Sequence, residues 1–490
     1  MNRSPDRARL AVDIGGTFTD VALEVGERRV TTKVLTTTRA PEAGVLEGIA
    51  KVLELAGIMP DAVGLIIHGT TLATNALIER KGAKTALLCT AGHRDSLEMA
   101  YENRFEQYDI MIDRPEPLVP RALRWPVGER LNARGEVLLP LDEASVEALL
   151  PLIEEQGIES LAVGLLHAYA NPAHERRVAE ILRRRFPALP ISLASEVCPE
   201  IREYERQSTT VANAYVQPLM ARYLVALERA LRERDFACPF LLMTSGGGLT
   251  DFETAVRFPI RLVESGPAGG AILASRIAAE CGLEAVVSYD MGGTTAKLCL
   301  IDEARPLTSR SFEVARVYRF MKGSGLPLRI PAIEMVEIGA GGGSIARVDA
   351  LKRVTVGPES AGAEPGPVCY GRGGTEPTVT DADLVLGRIE VERFAAGTVI
   401  LQPDAARDAL ARNVGAPLEV GDALAAFAVA EVVDENMANA ARVHAVEWGK
   451  DVARRSLVAF GGAAPLHAAR LAEKLEIEQV VVPTGAGVGS

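Results

Sequence analysis

Two stretches of the chain carry the same chemistry. Val12-Asp13-Ile14-Gly15-Gly16-Thr17-Phe18-Thr19-Asp20-Val21 and Tyr289-Asp290-Met291-Gly292-Gly293-Thr294-Thr295-Ala296-Lys297-Leu298 align without a gap at an offset of 277 residues. Each reads as a strand, an Asp-x-Gly-Gly-Thr turn and a second strand. Paired glycines let a backbone approach a phosphate closely, and the threonine adds a hydroxyl and an N–H as donors. An aspartate ending the first strand can hold Mg²⁺ directly or through water. Two such hairpins closing from opposite sides would clamp the phosphates of one nucleotide. A single copy reads equally well as a simple hairpin turn, so the repeat carries the nucleotide reading. Neither a Walker A loop nor a Rossmann fingerprint occurs. Asp13 and Asp290 are the candidates for metal binding and catalysis, and Gly15, Gly16, Thr17, Gly292, Gly293 and Thr294 for phosphate. Thr19 and Asp20 are candidates at the edge of the first turn.

Three further glycine clusters fit an adenosine-side wall, each reading equally well as a structural loop. Gly339–Ser344 contains Gly341 and Gly342; Gly461-Gly462-Ala463-Ala464-Pro465 follows a strand and opens a helix; Glu264–Gly270 opens another. Gly341, Gly342, Gly461 and Gly462 are taken as nucleotide contacts. Among the histidines, His68 precedes Gly69-Thr70-Thr71 and can orient a carbonyl or act as acid or base. It reads equally as a helix cap or a partner for a backbone carbonyl. His93, in Gly92-His93-Arg94-Asp95, reads mainly as structural, as do His167, His174 and His467. Arg202-Glu203-Tyr204-Glu205-Arg206 reads most simply as a charge-paired helix start.

The elements that would position these residues follow from periodicity. Strands at Leu10–Ile14, Thr19–Glu24, Arg29–Val34 and Gly64–Ile67 alternate with a helix opened by Pro41 and ended by Gly57, and with a helix near Thr70–Arg80. This predicts an α/β lobe over 1–200, with an irregular, Pro- and Arg-rich surface insertion near 100–140. A connecting long helix and strand occupy 201–263, the helix broken or kinked at Pro218. A second α/β lobe covers 264–490, with a Gly- and Pro-rich insertion near 322–374.

The 490 residues are 48% hydrophobic and 24% charged, which fits two to four packed domains. A net charge of -12 argues against a nucleic-acid or acidic-membrane footprint. No apolar run is long enough to span a bilayer, and the N-terminus carries no secretory signal. The six cysteines are scattered, as expected for buried thiols in a reducing cytosol. A cytoplasmic location is therefore expected.

The duplicated hairpins and the late Gly-Gly-Ala-x-Pro turn resemble the actin-like ATPase superfamily. More narrowly, the chain resembles the A subunit of the hydantoinase/oxoprolinase family, whose members include 5-oxoprolinase and acetone and acetophenone carboxylase subunits. The carrying segments are Val12–Asp20, His68–Ala76, Thr90–Asp95, Ser265–Ala268, Asp290–Thr294, Gly339–Ser344, Thr378–Asp383 and Gly461–His467. The resemblance implies two actin-like, ribonuclease H-like lobes around a nucleotide cleft, with ATP and Mg²⁺ as cofactors. It implies ATP-dependent phosphorylation and opening of a cyclic amide such as a hydantoin, a lactam or 5-oxoproline, with a B-type subunit as partner and homo-oligomers as an option. An ATP-activating carboxylase subunit and an actin-like chaperone or enzyme reactivator are the alternatives. The sequence departs from the family pattern in two ways: Ala464 stands where glycine is usual, and the family normally continues well past the last motif, so a C-terminal portion is expected to be absent.

Overall fold

A computed structural model describes residues 7–489 apart from 16–17, 37–39, 102–103, 319–322, 393 and 395–398. Three sheets organise it. The first has the hairpin Ala8–Ile14 and Phe18–Val25 near its centre, with Arg28–Leu35 outside the second strand. On the other side Val63–Thr70 pairs parallel to Ala8–Ile14, and Phe240–Met243 pairs parallel to it in turn; Leu249–Asp251 closes the edge.

The second repeat builds a sheet of the same plan. Ala285–Met291 and Ala296–Asp302 form the antiparallel hairpin, and Met335–Ile338 pairs outside the second strand. Ser456–Phe460 and then Val480–Val481 add in parallel on the other side. In both sheets the strand order is third, second, first, fourth, fifth, with only the second strand reversed within those five. The two actin-like lobes are thus visible as two sheets of one topology, although 1–200 and 201–263 both contribute strands to the first.

Alternation explains how each hairpin is held. Ala8, Leu10, Val12 and Ile14 turn to one face and are buried, while Arg9 and Ala11 are exposed on the other. The buried face receives Val45, Ile49, Val52 and Leu53 from the helix Pro41–Ala56. At about 1.5–3 kcal/mol for each fully buried aliphatic side chain, such a face fixes strand register firmly. Gly57, at φ 71°, ends that helix by donating its N–H to Leu53 and Glu54. Under the second hairpin Val287, Tyr289 and Met291 pack on Val429, Val433 and Met437 of the helix Asp422–Glu447.

Inserted in sequence between Val63–Thr70 and Phe240–Met243 of the first sheet is an all-parallel one, ordered Ile191–Leu193, Ser160–Gly164, Thr85–Thr90, Arg124–Val127. Its last strand lies inside the stretch expected to be a surface insertion, and that expectation is corrected for the second half of 100–140. Trp125, Val127 and Leu131 are buried. The strand is disguised by Pro126, tolerated because the strand is an edge, and by Arg124, a fully buried arginine whose guanidinium donates to the Val119 carbonyl and to Glu98. The helix Glu203–Arg232 serves two cores: Val211 and Ala214 face the parallel sheet, Ala212, Tyr215 and Val216 the first sheet. This is why its N-terminal half is buried all round, and it runs on through Pro218 without the expected break.

Cys89, Cys198, Cys299 and Cys369 are buried free thiols, Cys238 is half-buried and Cys281 is exposed. Among the described residues no helix is long and apolar enough to cross a membrane.

Candidate functional site

The two Asp-bearing hairpins meet at one cleft of about 130 Å³. Asp13, Asp20, Lys33, Thr71, Asp290 and Lys297 line it, with Gly15 and Gly292–Thr294 from the turns. Equivalent hydrogen bonds close both turns: Gly15 N–H donates to the Phe18 carbonyl at 3.0 Å, and Gly292 N–H to the Thr295 carbonyl at 3.1 Å. A side chain at Gly292 would point into open space, so the backbone there is accessible to a ligand. Gly16 and Thr17, expected to contact phosphate, lie outside the described residues.

Asp13 is wedged between two glycines, Gly69 and Gly266. Gly69, its register partner on Val63–Thr70, leaves only 2.5 Å between a built Cβ and Asp13 Oδ1; from Gly266 the gap is 2.8 Å. The segment His68–Asn75 ties the strand end to both neighbours. Thr71 donates its N–H and hydroxyl to the Ile14 carbonyl at 3.1 and 3.0 Å, and Thr70 N–H donates to Ser265 Oγ at 3.0 Å. Gly266 and Pro267 stand in the first turn of Ser265–Cys281, so the positive end of that helix faces Asp13. In the second lobe Gly461, at φ 91°, lies against Asp290 Oδ1 with no room for a Cβ.

Burial, together with the neighbouring Asp20 charge, raises the Asp13 carboxyl to about 7. Burial also raises Asp290 to about 7; Lys297 opposes this and Asp13 reinforces it. Asp13 Oδ1 is buried with no hydrogen-bond partner among the described residues. Two carboxylates held at this cost, one with an orphaned oxygen, fit a divalent cation that completes its shell with phosphate and water. No cluster of three or more His, Cys, Asp or Glu among the described residues forms a complete cage.

The cleft's cations are the part that sequence reading missed. Lys33 pairs with Asp20 at 2.6 Å, and Lys297 pairs with Glu264 and, at 3.6 Å, with Glu337. Lys297 lies cross-strand from Asp290 as Asp20 lies cross-strand from Asp13. One strand further out, Glu337 faces Lys297 as Lys33 faces Asp20. Equivalent positions therefore carry an acid–base pair in one lobe and a base–acid pair in the other. The alignment of the repeats showed Asp20 against Lys297; nothing in the sequence marked Lys33, which strand register alone brings in.

Several expected contacts lie elsewhere. Gly341 and Gly342 buttress the second turn from behind: Gly342 N–H donates to the Gly292 carbonyl at 3.0 Å, and a Cβ on Gly341 would stand 2.6 Å from the Gly293 and Thr294 backbone. Gly462 does line the cleft, whereas Gly461 donates its N–H to the Ala486 carbonyl at 2.7 Å. Thr19 is fully buried and bonds Thr36, which donates to the Gly15 carbonyl, so it supports the turn rather than the ligand.

His68 is not a cleft residue. Its Nδ1 bonds the Val12 carbonyl at 3.1 Å and its Nε2 the Tyr223 hydroxyl at 2.8 Å, inside the first core. Burial lowers it to about 4, and both ring nitrogens are engaged. It is thus a neutral histidine holding strand to helix, and its assignment as acid or base is withdrawn. His467, read as structural, joins Asp434 at 2.8 Å and Asp383 at 3.1 Å beneath the second hairpin. Burial pulls its pKa down, but the two carboxylates outweigh burial and raise it to about 9.

The sequence matches the Hydantoinase/oxoprolinase N-terminal region over residues 9–186 and Hydantoinase/oxoprolinase over residues 206–490. The chain belongs to the hydantoinase/oxoprolinase family. It is 36% identical to caprolactamase subunit alpha of Pseudomonas jessenii, over 98% of this chain and 69% of that one. It is 34% identical to the acetophenone carboxylase gamma subunit of Aromatoleum aromaticum, over 96% of this chain and 65% of that one. Among solved structures, nucleotide-free acetone carboxylase superposes with a TM-score of 0.86 at 26% identity, covering 98% of this chain and 69% of that chain. The ATP-dependent caprolactamase of Pseudomonas jessenii superposes at 0.81 and 35% identity with the same coverage. The fold is accordingly that of the actin-like ATPases, and the chain spans about two thirds of the length of these relatives.

Proposed function

We propose that this chain is the ATP-binding subunit of an enzyme that phosphorylates and opens a cyclic amide. The observation that carries the reading is the meeting of Asp13 and Asp290, from the two repeats, at one glycine-walled cleft with Lys33 and Lys297 beside them. Its likeness to an ATP-dependent caprolactamase subunit supports both the nucleotide and the amide.

Bound ATP supplies a γ-phosphoryl group that converts an amide oxygen into a leaving group, and Mg²⁺ supplies compensating charge. Asp13 and Asp290 would hold the metal. The backbone at Gly15 and at Gly292–Thr294 binds and orients phosphate oxygens, and Lys33 and Lys297 offset their charge. In the transfer, the amide oxygen forms a bond to phosphorus as the bond to the bridging oxygen breaks. The amide N–H proton leaves to solvent and gives an imidate phosphate. Water adds to the imidate carbon, the ring C–N bond breaks as the nitrogen takes a proton, and a second water splits the resulting acyl phosphate into carboxylate and inorganic phosphate, with a B-type subunit as the partner in this reading.

Acetone carboxylase, with a TM-score of 0.86, supports a second reading in which the same cleft activates a ketone for carboxylation. The test is ADP release by the chain together with its B-type partner. Stimulation by hydantoin or a lactam supports the amidase; stimulation only by acetone or acetophenone with bicarbonate replaces it with the carboxylase. ATP turnover driven by a protein partner and indifferent to every small carbonyl compound would sink both.

A further inference from the structure

The motif Thr378–Asp383 contributes no lining residue to the cleft, yet two of its side chains reach elements that build it. It opens the helix Val379–Val385, with Thr378 at the N-cap in a capping box with Asp381. Asp381 is fully buried and accepts the N–H groups of Thr378 at 2.8 Å and Cys369 at 2.7 Å, which fixes the start of the helix. From there Thr380 donates both its N–H, at 2.7 Å, and its hydroxyl, at 2.8 Å, to the Gly342 carbonyl. Three residues on, Asp383 meets His467 of the helix Ala464–Leu475, which follows the cleft residue Gly462.

Gly342 passes this contact to the phosphate turn. Its N–H donates to the Gly292 carbonyl at 3.0 Å, and the Gly343 N–H donates to the Gly293 carbonyl at 2.6 Å. Neither Gly342 nor Gly343 lines the cleft, so both carbonyls of the turn are drawn away from it. In a planar trans peptide a carbonyl and the next N–H point in opposite directions. The N–H groups of Gly293 and Thr294 are therefore turned toward the cleft, and neither has an acceptor among the described residues. Two successive free N–H groups make a nest for an anion. A Gly-Gly step is also the backbone step with the most freedom to rotate. A flip of the peptide between Gly292 and Gly293 would present a carbonyl oxygen to a phosphate in place of an N–H.

We infer that Thr380 is a positioning residue for the phosphate turn: through Gly342 it holds the Gly292 carbonyl away from the cleft and keeps the Gly293 N–H free for a phosphate oxygen. The inference rests on the nucleotide reading of the cleft. It makes a residue outside the cleft a determinant of phosphate affinity.

The test uses the full chain with Mg²⁺ and a non-hydrolysable ATP analogue. Calorimetry reads affinity, and amide hydrogen exchange at saturating analogue reads the turn. In the wild type the analogue should protect Gly292–Thr294 from exchange. Thr380→Val keeps the branched shape and removes one of the two donors to Gly342. It should weaken analogue binding about fivefold and lose most of the protection at the turn even at saturation. Thr380→Ser restores the hydroxyl and should return affinity to within about twofold of the wild type, with protection regained. Thr355→Val deletes an exposed hydroxyl on the strand Val354–Ser360 and should change neither readout. Gly341→Ala, whose methyl would press on the peptide between Gly293 and Thr294, should weaken analogue binding about tenfold or more. Wild-type affinity in Thr380→Val, full protection of the turn in that variant, or no recovery in Thr380→Ser overturns the inference. Should Thr380→Val fail to fold by circular dichroism, Gly341→Ala decides, and wild-type affinity there overturns it. Failure of the wild type to bind the analogue at all instead overturns the nucleotide cleft on which the inference depends.

Discussion

Gly69 stands directly across from Asp13, and a methyl group placed on it would reach to 2.5 Å from the carboxylate. The glycine of the His-Gly-Thr-Thr segment therefore leaves the room that the Asp13 carboxylate, the proposed metal ligand, occupies, although it offers no ligand itself. Gly69→Ala is expected to displace Asp13 and weaken Mg²⁺-dependent ATP binding by about tenfold or more, or about 1.4 kcal/mol. Calorimetry checks this. Gly57→Ala is the control: at φ 71° with open space around it, it should cost about 1 kcal/mol of stability and leave ATP affinity alone.

The raised carboxyls give the free protein a pH signature. For Asp13 and Asp290 the folded pKa, about 7, lies above the usual carboxylate value of 3.8, so folding favours their protonated forms. That contribution is fully present below pH 3.8 and disappears as pH rises through 7. Cation binding runs the opposite way because it needs the ionised carboxylates. Mg²⁺ affinity should rise between pH 6 and 8, and the Tm gain from Mg²⁺ and ATP should grow over the same interval. Asp13→Asn should flatten both trends; an unchanged slope in that variant would exclude Asp13 as their source.

Lys297 and Glu264 form a buried pair, so breaking it from one side leaves an uncompensated charge. Lys297→Met should destabilise by about 3–5 kcal/mol, read by urea unfolding. Adding Glu264→Gln should restore most of that stability. The restored double variant should still have lost ATP turnover by a factor on the order of 100 or more, because its cleft keeps only one of its two lysines, Lys33.

His467 holds two buried carboxylates apart. Its folded pKa, about 9, exceeds the ordinary 6.5, so its ion pairs stabilise fully below pH 6.5 and are lost as pH rises through 9. Wild-type stability should fall across that window, while His467→Gln should be destabilised by about 3–5 kcal/mol at pH 6 and show little of the alkaline decline. Denaturant midpoints at pH 6, 7.5 and 9 decide it.

The repeat at 277 made the two sheets and their shared cleft legible, because a glycine turn and its flanking alternation are local signals. What register adds was not legible. Lys33 enters the site only because Arg28–Leu35 pairs with Phe18–Val25 so that it faces Asp20. His68 looked functional from its place before a glycine, yet strand alternation turns it into the core, where Tyr223, far along the chain, occupies its second nitrogen. The strand Arg124–Val127 was hidden for a related reason: a buried arginine reads as surface until the carbonyl that receives it is known.

The sign reversal between Asp20–Lys33 and Lys297–Glu337 has a further consequence. A frame made of two identical halves has no handedness along the groove between them, and a chain of phosphates has two different ends. Left symmetrical, such a frame would admit the chain either way round with equal ease. Opposite charges at matched places make the groove directional, so that in the proposed nucleotide reading the two ends of the polyanion meet different surroundings. Duplication provided the grip, and divergence at two rungs gave it an orientation.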